Sequence, residues 1–381
     1  MGIYLDNAAT SYPKPKCIIE AMRNYIENIG ANAGRSAYKR AYEASRLVFE
    51  TRELIANLIR AKDSSHIIFT ANATEALNLA IFGLGLKEGD CVIASSLEHN
   101  SVMRPLRYLE KEKKIKIELA RCSQKGELDP DEVASKITKK TKLIVMNHAS
   151  NVIGTILPIR EVGKIARANN IPFLVDAAQT VGFLPIDVEQ DNIDLLAISG
   201  HKGLLGPQGV GCLYIKEGIR LRPLKFGGTG SNSESEIQPE FLPDKYESGT
   251  LNLPGIVGLK ASVEFTLNRG IKNIQTQVQN LAGGLIGKLS AITGIKIYGT
   301  KNKRLQTGVV SVNIKDREPS QISEILDEKY DIGVRVGLHC SPQTHKTIGT
   351  FPKGTVRVSL GLFNTTKEID NLCEALCQII G

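Results

Sequence analysis

Between residues 50 and 215, short and nearly unbroken apolar runs alternate with stretches of helical periodicity. The runs at 67–70, 91–95, 115–120, 143–147, 173–176, 195–199 and 211–215 have the pattern of strands buried on both faces. Apolar positions recur at helical spacing over 75–82, 102–111, 131–137 and 159–168. Strands and helices in alternation build a mainly parallel sheet with helices on both sides, so the expected architecture is α/β with seven strands. A Gly/Ser-rich stretch at 227–235, then Pro239, Pro243 and Pro254, interrupts the pattern. From Ile256 a single long helical pattern runs to about residue 289, followed by a strand-like run at 309–314 and mixed structure to the end. The expected division is a large domain over 15–255 and a smaller α+β domain over 256–381, with residues 1–14 associated.

In open α/β sheets ligands sit beyond the carboxyl ends of the strands. Five expected strand ends carry polar clusters: Asn72-Ala73-Thr74, Glu98-His99-Asn100, His148-Ala149-Ser150-Asn151, Asp176-Ala177-Ala178-Gln179 and Ser199-Gly200-His201-Lys202. A solvated loop explains any one of them; five together point to one site.

Composition narrows the function. A chain of 381 residues suits two domains, and 42% hydrophobic with 23% charged residues is ordinary for a globular protein. With no Trp and 5% aromatic residues, a stacking platform for single-stranded nucleic acid is not expected. The net charge of +8 is scattered, and its densest run, 111–116, has Glu110 and Glu112 in or beside it. That is a solvated helix end; the mildly basic surface suits an anionic cofactor or an acidic protein partner rather than nucleic acid. The first ten residues have no basic region leading into an apolar run, and no stretch reaches the roughly eighteen apolar residues of a membrane span. The seven cysteines form neither a CxxC pair nor a disulfide framework, and Cys373 and Cys377, four apart on a helical pattern, read as buried packing. The expectation is a reduced, cytoplasmic chain without a membrane segment.

Lys202 follows an apolar strand, where an ammonium is costly to bury. Either its head reaches solvent, or it is a Schiff-base lysine of lowered pKa. Asp176 ends an equally apolar strand and needs a cationic or donor partner, whether a helix cap, a salt bridge or a protonated pyridine nitrogen. Three residues beyond Asp176, Gln179 could hydrogen-bond the hydroxyl of such a ring. Thr74, at the start of a helix, is either a simple N-cap or part of a phosphate site, to which Ser199 and His201 could add donors. The flat ring of His99 could lie on a cofactor face.

These motifs, Ala73-Thr74-Glu75, Glu98-His99-Asn100-Ser101, Asp176 to Gln179 and Ser199 to Lys202, resemble the class V aminotransferase group of fold-type-I pyridoxal-phosphate (PLP) enzymes. Tyr4 to Thr10 and Glu247-Ser248-Gly249-Thr250 fit the same group. Arg335 to Cys340 and Arg357 to Thr365 resemble its cysteine desulfurase and selenocysteine lyase branch, and the likeness runs from about residue 4 to 365. The resemblance implies that Lys202 holds PLP and shuttles the Cα proton. Asp176 and Gln179 would set the ring electronics, and His99 would stack on the ring. Ala73, Thr74, Ser199 and His201 would bind the phosphate, and Gly249 and Thr250 would reach the phosphate of a neighbouring subunit, which implies a homodimer. Asn151 and Arg357 would hold the substrate carboxylate. Cys340 would take sulfur from L-cysteine as a persulfide and pass it to an acceptor protein, for iron–sulfur cluster assembly or another use of mobilised sulfur. Arg335 and His339 lie close in sequence and could favour the thiolate. Where many relatives have a second His before the Cys, this chain has Leu338, and Pro342 follows closely, as in the branch with a short Cys loop. The rival readings are a selenocysteine lyase, another PLP-dependent C–S lyase or aminotransferase, and a non-catalytic sulfur carrier. The intact set of Lys202, Asp176, Cys340 and Arg357 argues against the last.

Overall fold

The computed structural model describes residues 2–34 and 37–381. A short strand, β1 (Ile3–Tyr4), is followed by α1 (Lys16–Asn24) and α2 (Lys39–Ile59). Strand and helix then alternate: β2 (Ile67–Thr70), α3 (Ala73–Gly83), β3 (Cys91–Ser95), α4 (Asn100–Lys113), β4 (Lys116–Ala120), α5 (Pro130–Ala134), β5 (Thr141–Asn147), α6 (Ile159–Ala168) and β6 (Phe173–Asp176). Two more strands, β7 (Leu195–Ser199) and β8 (Gly211–Ile215), complete a seven-stranded sheet in the order β2-β8-β7-β6-β5-β3-β4. Pairings among β3 to β7 are parallel, whereas β8 runs antiparallel to both β2 and β7.

The apolar runs are buried on both faces. Ile67, Phe69, Ile144, Met146, Phe173 and Val175 join one core, and Ile68, Leu143, Val145 and Leu174 join the other. Each fully buried Ile or Leu contributes about 1.5–3 kcal/mol, so a one-residue register slip that exchanged the faces would disturb both cores together.

The rest of the chain comprises α7 (Leu253–Arg269), α8 (Ile271–Ser290), β9 (Ile295–Tyr298), β10 (Val309–Ile314), α9 (Pro319–Tyr330), β11 (Ile332–Gly333), β12 (Arg335–Gly337), α10 (Pro342–Ile348), β13 (Thr355–Ser359) and α11 (Thr366–Ile380). An antiparallel sheet in the order β12-β13-β10-β9 has its own core, with Leu285, Val312, Leu326, Val356 and Leu372 fully or almost fully buried. The single long helix expected after Ile256 is in fact two, α7 and α8. They break at Gly270, which takes φ +82° and donates its amide back to the carbonyls of Thr266 and Leu267. Helix α5 also ends early, because the amides of Lys136 and Ile137 bond three residues back and tighten the chain into turns. Strand β1 pairs with β11 in a separate two-stranded sheet, and Asp6 bridges to Ser359 on β13. Ser11 bonds the carbonyl of His201 beyond β7, so the first residues of the chain reach from the antiparallel sheet to the end of the large one.

Candidate active site

The loops after β2, β3, β5, β6 and β7 meet at one cavity, lined among others by Thr74, His99, Asn151, Asp176, Gln179, Ser199, His201 and Lys202. Asp176 is buried, with Oδ1 accepting from the Ala178 amide at 2.9 Å and Oδ2 accepting from no donor among the described residues. Burial pushes its pKa up; the Ala178 amide and the Lys202 charge work the other way. Lys202 shows the complement: lost hydration lowers its pKa, Asp176 partly restores it, and Arg357 and Arg335 lower it further. Its ammonium makes no hydrogen bond or ion pair among the described residues. The peptide before it is held by the chain's first residues, since the His201 carbonyl accepts from Ser11 N, Ser11 Oγ and Lys14 Nζ at 3.0, 3.1 and 3.0 Å. Gln179 Nε2 is bonded to the Ala8 carbonyl at 3.0 Å, leaving one amide proton for other partners.

Helix α3 starts at Ala73, and its N-cap is Asn72, whose side chain accepts from the Glu75 amide. The N-cap reading of Thr74 therefore gives way: Thr74 lies inside the first turn, with Oγ1 2.7 Å from Ser101 Oγ. The amides of Ala73 and Thr74 have no acceptor among the described residues and stand at the positive end of the helix. His99 is the N-cap of α4, its Nδ1 accepting from the Ser101 amide at 3.0 Å. Burial, then the Lys202, Arg335, Arg104 and Arg357 charges, lowers its pKa to about 4. The ring is neutral at neutral pH, and because Nδ1 accepts, the proton sits on Nε2. His201 is likewise lowered to about 4 by burial and Lys202, and its Nδ1 has no partner.

Cys340 is exposed in the turn between β12 and α10. Arg335 Nη2 lies 3.8 Å from its Sγ. His339 does not support the thiol: its Nε2 is directed to the Thr355 carbonyl at 3.2 Å, and burial drives its pKa to about 2, so the ring carries no charge. His339 and Cys340 both have left-handed backbone, φ +47° and +58°, at a cost of about 1–3 kcal/mol each for residues with a Cβ. Arg357 on β13 is almost wholly buried, with Nη1 on the Asn151 carbonyl at 3.0 Å and Nη2 on Asp6 Oδ1 at 2.6 Å.

Gly249 and Thr250 are not brought to the Lys202 cavity; they line a separate depression with Arg52 and Glu247. Cys373 is buried, as packing requires, whereas Cys377 is exposed on the outer side of α11, because α11 has one buried stripe and position 377 falls beyond it. All seven cysteines are free thiols. No helix among the described residues is long and apolar enough to cross a membrane. Sequence reasoning gave no role to Ser101, Asp6 or Ser341. The first two stand inside motifs already singled out, but their partners, Thr74 and Arg357, come from distant segments.

Residues 3–372 match the class-V aminotransferase family, and the chain belongs to that family. Over its whole length it is 36% identical to a protein of Methanothermobacter thermautotrophicus described as "probable cysteine desulfurase", covering 95% of that relative. It is 31% identical to the cysteine desulfurase of Haloferax volcanii, over 98% of this chain and 88% of the relative. The apo structure of a cysteine desulfurase from Thermococcus onnurineus NA1 superposes with a TM-score of 0.94 at 33% identity, covering 100% of this chain and 94% of that one. A cysteine desulfurase structure from Escherichia coli gives 0.90 at 27% identity, over 99% and 94% of the two chains. Within the family, the chain falls in the cysteine desulfurase branch.

Proposed function

We propose that the chain removes sulfur from L-cysteine with PLP held at Lys202, giving L-alanine and a persulfide on Cys340. The observation that carries the reading is the set of polar groups left without protein partners around one cavity. These are the amides of Ala73 and Thr74, His201 Nδ1, Asp176 Oδ2 and the Lys202 ammonium. Their chemistry fits the cofactor from end to end: donors at a helix N-terminus for a phosphate, a buried carboxylate for a pyridinium, and an amine of lowered pKa for a carbonyl. Bound there, PLP supplies an electron sink for charge developing at the substrate Cα.

The chain's own residues account for the remaining work. Lys202, its ammonium disfavoured by burial, holds the cofactor and moves the proton at Cα. Neutral His99, its orientation locked by Ser101, would offer the cofactor ring a flat, uncharged face. Arg357 presents a guanidinium to the substrate carboxylate, and Asn151 adds an amide. Cys340, exposed and 3.8 Å from the Arg335 guanidinium, attacks the substrate sulfur as a thiolate. An S–S bond forms as Cβ–Sγ breaks; Cβ keeps the electron pair and takes a proton, and Lys202 returns the proton to Cα, which completes alanine. A thiol of an acceptor protein then takes the outer sulfur from Cys340, whose exposure admits such a partner.

Gly249 and Thr250 lie apart from Lys202 in one chain, so their part in the phosphate site is assigned to a second copy in a homodimer. The chain is assigned to a reducing, cytoplasmic setting, in keeping with its seven free thiols. We place the division between the large and small domains near residue 255. The test is borohydride reduction of the PLP-loaded protein followed by peptide mapping. A phosphopyridoxyl group on Lys202, with alanine formed from L-cysteine by the unreduced protein, supports the proposal; label on another lysine, or pyruvate as product, contradicts it.

A further inference from the structure

The side-chain amide of Asn151 brackets Cys340. Its Nδ2 donates to the carbonyl of His339 at 2.7 Å, and its Oδ1 accepts from Ser341 Oγ at 2.8 Å. The carbonyl of Cys340 itself accepts from the Asn100 amide at 2.8 Å. Ser341 stands at the N-cap of α10, where a serine hydroxyl ordinarily accepts from a helix amide. It makes no such bond here. Fully buried, the hydroxyl is turned onto Asn151 instead. The main chain of Asn151 is also engaged, since its carbonyl accepts from Arg357 Nη1. The residues on either side of the thiol bond the carboxamide of Asn151, and the guanidinium of the carboxylate site bonds its main-chain carbonyl, so both are tied to one residue.

We propose that Ser341 is a positioning residue for sulfur transfer: its hydroxyl orients the Asn151 carboxamide, and the carboxamide sets the place of the Cys340 thiol relative to the bound substrate. The inference rests on the reading of Cys340 as sulfur acceptor. Asn151 has one Nδ2 proton left after bonding His339, and that proton is what it can offer a substrate carboxylate. Substrate and nucleophile loop therefore share one amide, and the seating of the first bears on the second. Without the hydroxyl, Asn151 Oδ1 loses its donor and the amide can turn, taking the His339 bond with it. The consecutive left-handed residues His339 and Cys340 then lose one of the bonds that hold them in that conformation. Removal of the Cα proton by Lys202 does not involve the thiol and is left intact.

The experiment compares Ser341→Ala with the unaltered PLP-loaded protein. The expected result is alanine release from L-cysteine slowed about tenfold to a hundredfold, the scale of a thiol misplaced by an ångström. At saturating L-alanine, exchange of the Cα hydrogen with deuterium from solvent, followed by NMR, keeps its maximal rate, while the alanine concentration needed for half that rate rises because Asn151 also meets the carboxylate. Peptide-resolved alkylation by iodoacetamide changes in rate at Cys340 but not at the exposed Cys17 and Cys377. Asn151→Ala alters Cys340 alkylation in the absence of substrate in the same way, and the double variant is no further altered. If Ser341→Ala does not fold, the comparison is made with Ser341→Cys, which keeps the size of the side chain and weakens the donor, beside Asn151→Ala. The inference is overturned by unaltered Cys340 alkylation, by the maximal rates of exchange and alanine release falling together, or by additive effects in the double variant. Normal alanine release by Cys340→Ala would instead remove the reading beneath it, whereas an inactive Cys340→Ala beside a fully active Ser341→Ala sinks the positioning role alone.

Discussion

Arg357 Nη2 meets Asp6 Oδ1 at 2.6 Å, joining a residue near the start of the chain to a strand more than three hundred residues later. Burial works against the charge of Arg357, and the Asp6 carboxylate restores it. With Nη1 on the Asn151 carbonyl and Nη2 on Asp6, the guanidinium is held in one orientation, and Nε has no partner. Asp6→Ala is expected to raise KM for L-cysteine about tenfold with a smaller effect on kcat, as loss of an oriented carboxylate binder should. Steady-state kinetics decide it; an unchanged KM would mean that Asp6 serves stability alone.

Two buried groups set opposite limbs of the pH–stability curve. His148 is held near pKa 4 by burial, below its ordinary 6.5, and its Nδ1 is unpartnered. Between those values the unfolded chain binds a proton that the folded chain refuses, so stability falls as pH drops, by up to about 3 kcal/mol from this ring. Glu98, fully buried, is raised from 4.5 to about 8 by burial, with Oε2 unpartnered. Its contribution is complete below pH 4.5 and is lost as pH rises toward 8. In urea unfolding of the cofactor-free protein, Glu98→Gln should flatten the decline from pH 5 to 8, and His148→Gln the decline from pH 6.5 to 4. Slopes identical to the unaltered protein would contradict both assignments.

The charge beside the thiol is Arg335, not His339. Replacement of Arg335 by Gln removes the cation 3.8 Å from Cys340 Sγ and should slow iodoacetamide alkylation of Cys340 at neutral pH about threefold to tenfold, with the effect shrinking at high salt. His339→Gln should leave that salt dependence as it is. The reverse pattern would return the role to the imidazole.

Much of this was legible in the sequence because the large sheet is buried on both faces. Such strands read as unbroken apolar runs, and five of the seven observed strands, such as Phe173–Asp176 and Leu195–Ser199, start and stop where the pattern does. The expected α/β architecture with a mainly parallel seven-stranded sheet is the one observed. Local chemistry was harder to read. Gly270 sits inside an amphipathic pattern that continues across it, so two helices look like one. Asn72 and Thr74 are both good cap residues, and only the backbone shows that Asn72 takes the position. The Asp6–Arg357 and Ser341–Asn151 contacts join segments whose separation in sequence carries no periodic signal. Ser341 is the harder of the two, because a serine before Pro342 reads as an ordinary helix cap.

The central claim is that sulfur leaves L-cysteine onto Cys340. It is tested most directly by the balance of products from PLP-loaded protein and L-cysteine, with and without a thiol reductant, beside Cys340→Ala. The account predicts alanine and sulfide in equal amounts with reductant, a persulfide on the Cys340 peptide without it, and loss of both products in the variant. Pyruvate in place of alanine, or undiminished sulfide from Cys340→Ala, would contradict it.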